Sequence, residues 1–117
     1  MLDSDEWRMI PDGSTLTVQV SSNPEGACQG RARLVVDGTE VDQWSNADLV
    51  AGKPVTVRSP HRYNVDLNLF FLGDATATVD AGITDPNGAG FGTPFSESAQ
   101  GTKGDSESTN FTALSAV

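Results

Sequence analysis

The chain has 117 residues (12.3 kDa) and a net charge of −9, from sixteen acids against seven Lys plus Arg. Binding to nucleic acid or to an anionic lipid surface gains affinity from cations set against phosphates, so this balance argues against both. Cys28 is the single cysteine, which excludes an intrachain disulfide, and one domain's length suffices to bury a core without staples.

Residues 1 to 5 read as frayed, and MLDSDEWRMI lacks the basic-then-apolar order of a signal peptide. Glu6 to Ile10 suggests a short strand with Trp7 and Met9 on one face, and Pro11-Asp12-Gly13 then turns the chain. Thr15 to Ser21 alternates cleanly, with Leu16, Val18 and Val20 inward. Ser22 to Gly26 is rich in turn formers and reads as a loop.

Gly30 to Trp44 predicts a hairpin around Asp37-Gly38, the preferred pair for a tight two-residue turn. That turn sets Val36 against Thr39, Leu34 against Val41, Arg33 against Asp42 and Arg31 against Trp44. Arg33–Asp42 would be an outer-face ion pair and Arg31–Trp44 an outer-face cation–π pair. Ser45 to Lys53 reads as a loop or single helical turn. Pro54 opens the next strand, where a missing N–H does least harm, with Val55 and Val57 inward. Ser59-Pro60-His61 leads on to the strongest pattern in the chain.

That pattern is Arg62 to Thr84. Tyr63, Val65, Leu67, Leu69 and Phe71 alternate with polar residues, and Ala75, Ala77, Val79, Ala81 and Ile83 do the same after Gly73-Asp74. The expectation is a long amphipathic β-hairpin. Asp85 to Gly88 is a turn, and Gly88 to Gly92 a flexible segment carrying Phe91. Pro94 to Gln100 and Glu107 to Leu114 read as a final hairpin around Gly101 to Gly104, with weakly apolar faces that suit a sheet edge or a surface completed by a second copy. Eight to nine strands without a crossover helix predict one all-β domain over residues 1–117, an antiparallel β-sandwich of immunoglobulin-like or jelly-roll type, with a closed barrel as the alternative. The Cys…Trp…Cys framework of antibody domains is absent.

Chemistry is sparsely marked. His61 is the single histidine and Ser59 lies two positions away, but no nucleophile elbow accompanies them, so no catalytic residue is expected. One His and one Cys do not make a zinc site. Calcium accepts loop oxygens, and Asp80, Asp85 and Asn87 are its weak candidates, with Asp105 and Glu107 a second acidic pair; no other cofactor is implied. Asp66 and Asp80 would lie level on adjacent strands, as a solvated face or a carboxylate pair. Among the aromatics, Trp7, Trp44, Tyr63 and Phe91 are candidates for stacking on a sugar. Tyr63 is phased inward and Trp44 outward beside Arg31. Asn110-Phe111-Thr112 matches the N-glycosylation pattern.

The chain is therefore expected to be a non-enzymatic binding module for a glycan or a protein partner, through loops at the sandwich ends, with Trp44, Arg31 and Phe91 as anchors. The alternative is a self-assembling or pore-forming subunit that uses 62–84, since strands of alternating polarity also suit a membrane barrel. A small hydrolase ranks third.

Overall fold

The apolar faces of period 2 in this chain are stable only where two sheets close over one another. The computed structural model, which describes residues 5–115, builds that closure from nine strands and one short helix. The strands are β1 (Asp5–Trp7), β2 (Thr15–Asn23), β3 (Cys28–Val36), β4 (Thr39–Trp44), β5 (Lys53–Thr56), β6 (His61–Phe71), β7 (Ala75–Thr84), β8 (Gly90–Gly101) and β9 (Ser106–Ser115); α1 (Asn46–Ala51) precedes β5. One sheet has the order β1-β9-β6-β3-β4 and the other β5-β2-β7-β8, giving the expected all-β sandwich. Neighbours run antiparallel except β1, which lies parallel to β9 with Asp5 beside Phe111. The fraying expected of residues 1–4 lies outside the described residues; Asp5 already opens β1.

The segment Arg62–Thr84 is not a hairpin. β6 pairs with β3 and β9, β7 pairs with β2 and β8, and Leu72-Gly73-Asp74 carries the chain from one sheet to the other. The apolar rows of β6 and β7 face each other across the core instead of lying side by side. Pro94–Gln100 and Glu107–Leu114 part in the same way, because β8 edges one sheet while β9 sits inside the other. Period 2 says which face of a strand is buried; it does not say which strand lies beside it. The β2–β3, β6–β7 and β8–β9 connections gather at one end and bond to one another. Leu72 N–H donates to Ala27 O (2.8 Å), Phe71 N–H to Asp105 O (2.9 Å) and Gly104 N–H to Phe71 O (2.9 Å).

The β3–β4 hairpin forms with its register shifted. Val36 faces Thr39 as expected, then a bulge leaves Leu34 against Asp42, Arg33 against Gln43 and Ala32 against Trp44. The extra residue reverses the phase of β4, since one added position flips every later side chain to the other face. Val41, expected in the core, is 57% exposed, and Trp44, expected outside, is 2% exposed. At the start of the chain, Trp7 is buried but Met9 has φ 58° and is exposed, so the two share no face.

α1 is capped by Ser45 and Asp48 in a reciprocal capping box and drives Leu49 into the core. Gly30 makes room for that side chain: a Cβ there would lie 3.1 Å from Leu49 Cδ1. The long side of the sandwich between β1 and β8 is closed by aromatics. Phe111 on β9 stacks on Trp7 (centroids 6.1 Å) and meets Phe95 of β8 edge-on (4.9 Å), while Trp7 Nε1 donates to Thr93 O at 3.2 Å.

Candidate site on the outer face of the five-stranded sheet

Inward apolar phasing on β3, β6 and β9 forces their alternate residues onto one flat outer surface. Pairing sets these residues in rows: Gln29–Phe70–Ser106, Arg31–Asn68–Ser108, Arg33–Asp66–Asn110 and Val35–Asn64–Thr112. Strands about 4.8 Å apart and same-face residues about 7 Å apart make this a regular grid.

The two halves of the grid differ. In one, Arg33 Nε donates to Asp66 Oδ2 at 2.9 Å, Asn110 donates its amide to Asp66, and Thr112 Oγ1 donates to Asn64 at 2.8 Å. That half is saturated by its own side chains. In the half toward the bonded connections, the side chains of Gln29, Arg31, Asn68, Ser106 and Ser108 make no hydrogen bond or ion pair with the described residues. They surround Phe70, which is 49% exposed. Two shallow hollows adjoin there and share Asn68. One, of about 200 Å³, runs between Arg31, Arg33, Trp44 and Asp66; the other, of about 400 Å³, lies among Asn68, Phe70, Ser106 and Glu107.

Of the three expected anchors, Arg31 and Trp44 border the first hollow, but not as a cross-strand pair. Trp44 sits on the core side, with Nε1 donating to Asp42 Oδ2 at 3.1 Å. Phe91 belongs to the other sheet, half-buried in β8 opposite Ile83, and not to a flexible loop. Tyr63 is buried as phased, with its hydroxyl accepting from Arg58 N–H at 2.9 Å. Phe70 was legible as an aromatic at a position where β6 otherwise places Asn64, Asp66 and Asn68. The alignment of Gln29, Ser106 and Ser108 with it needed the sheet order.

The remaining candidates do not converge. Asp66 and Asp80 point outward from opposite sheets, so they form no carboxylate pair. Asp80 lies five residues, about 16 Å of extended chain, before Asp85. Asp85 Oδ1 instead accepts from Asn87 N–H (2.9 Å) and Ala89 N–H (3.0 Å), closing its own turn. Asp105 likewise accepts from Thr102 N–H at 2.8 Å. Among the described residues no three His, Cys, Asp or Glu come together as a metal-holding group. Asn110-Phe111-Thr112 lies within β9, with Phe111 in the core.

No hydrogen bond joins Ser59 to His61. Ser59 N–H donates to Asp12 Oδ1 at 2.9 Å, and His61 Nδ1 lies 2.6 Å from Asp37 Oδ2. Asp37 clamps the β3–β4 turn to β6. The Arg62 N–H and then the His61 ring hold its carboxyl below the ordinary 3.8. A depressed carboxylate stabilises the fold above its unfolded value, and that contribution is lost as pH falls through the folded one. Asp37→Asn should therefore be less stable than wild type at neutral pH, with the gap shrinking below about pH 3.8. Urea melts at pH 7 and pH 3 check this; a gap constant with pH contradicts it.

Comparison of the chain with protein-family models, with curated proteins and with solved structures found no match.

Proposed function

We infer that this protein is a non-enzymatic binding module that takes a neutral glycan on the outer face of its five-stranded sheet, rather than on its end loops. The observation that carries this is the unbonded half of the grid: amide, hydroxyl and guanidinium groups without partners among the described residues, spaced in rows around an exposed Phe70 ring. Sugar hydroxyls pair well with planar amides and guanidinium, and an apolar ring face stacks on a pyranose. A protein interface has a desolvated apolar centre, and the unbonded half of this face offers Phe70 alone among Gln29, Arg31, Asn68, Ser106 and Ser108. The −9 charge disfavours a polyanionic glycan.

The pore-forming alternative draws no support from the folded state. Inserting 62–84 as a unit would strip β6 from β3 and β9, and β7 from β2 and β8. The test is a glycan array followed by calorimetry on any hit. Phe70→Ala and Arg31→Ala should each weaken binding about tenfold, the loss of roughly 1.4 kcal/mol, while Ser98→Ala on the opposite sheet should leave it unchanged. A hit that ignores Phe70 and Arg31 overturns the assignment.

A further inference from the structure

Away from the glycan face, α1 carries two apolar stripes where one is needed. Leu49 fills the core, while Ala47, Val50 and Ala51, at i, i+3 and i+4, form a second stripe that is exposed. That stripe faces a cleft of about 550 Å³ whose far wall is Val20 and Cys28. The helix does not lean on this cleft for its position. Gln19 Nε2 donates to Val50 O (2.9 Å), Asn46 Oδ1 accepts from Gly30 N–H (2.8 Å), and the capping box fixes the first turn. An opening held by such contacts, with small side chains on the helix side, is a preformed space.

We propose that this cleft binds a small amphiphile with a cationic head, its apolar body between Val50 and the Val20–Cys28 wall and its head at Glu25. The volume is that of a small-molecule site, which commonly spans ~300–1,000 Å³. Glu25 is the single charged residue lining it, and its carboxylate has no ion-pair or hydrogen-bond partner among the described residues. A cation is the complement of that charge, and an anionic amphiphile would meet it unpaired. Cys28 is a built-in reporter: burial pushes its thiol up and keeps it in the unreactive form, so access to it tracks occupancy of the cleft.

The experiment titrates the full chain with hexyltrimethylammonium and, separately, hexanesulfonate, following amide shifts by NMR and the rate at which a neutral disulfide reagent modifies Cys28. The ammonium should give saturable shifts confined to residues 20–28 and 46–51 and slow the thiol reaction, with affinity about tenfold above the sulfonate. Glu25→Gln should erase that preference, and Ala47→Leu, which fills the cleft from an exposed helix position, should abolish binding while shifts elsewhere stay native. Equal affinity for both probes, no saturable shift with either, or binding that survives Ala47→Leu overturns the proposal.

Discussion

Phe111→Ala should lower the unfolding free energy by about 3–5 kcal/mol, the cost of emptying a buried aromatic site. Against a typical total of ~5–15 kcal/mol this removes a large share of the stability. Phe111 is 0% exposed and touches aromatic side chains from both flanking edges, Trp7 on β1 and Phe95 on β8. Trp7 cannot collapse far into the space, because it is tied to Thr93 O and packs over Gly92, where a Cβ would lie 3.1 Å from its ring. Thermal melts should show a drop of about 15 °C, and hydrogen exchange should accelerate first in β1 and in the Phe95 stretch of β8. A loss below about 1.5 kcal/mol would show that the three rings do not hold the two edges together.

Gly101→Ala should cost about 2–3 kcal/mol through overpacking, a large penalty for one methyl group. A Cβ at Gly101 would sit 2.6 Å from Phe71 Cγ and 2.7 Å from both Cδ atoms. The ring cannot swing away: Phe71 is buried, and its backbone bonds to Gly104 and Asp105 on either side. Gly73, in the neighbouring connection, is the matched control. Nothing lies within 4 Å of its Cβ position and its φ is outside the left-handed range, so Gly73→Ala should be neutral or stabilising by about 0.5 kcal/mol. Paired denaturant melts separate the two; similar values for both would remove the steric explanation.

Which face of each strand is buried was legible residue by residue. Leu16 to Val20, Tyr63 to Phe71 and Ala75 to Ile83 all turn inward as their alternation requires. Neighbour choice was not legible, because a hairpin and a crossing between sheets share the same period and the same glycine-containing connection. Gly73-Asp74 looked like a reversal within one sheet and proved to be a passage between two. The β4 error had a smaller cause with a larger effect. One bulged residue at Val41 exchanged the environments of Val41 and Trp44, and with them the expected anchor. The candidate face was hidden for the first reason: Gln29, Phe70 and Ser106 come from three strands whose adjacency is a property of the finished sheet.

The crossing connections also fix when the chain can fold. Among the described residues, only β3–β4 and β7–β8 join strands that follow one another in the chain. β2 waits for β5 and β7, while β6 and β1 both wait for β9. Non-local pairing of this kind places folding in the millisecond-to-second range rather than the microsecond range of local topologies. On the ribosome, β6 would emerge with one partner made and one side bare until Ser106–Ser115 follows. That interval, with an amphipathic eleven-residue strand open along one edge, is when mispairing between nascent chains competes with the native fold.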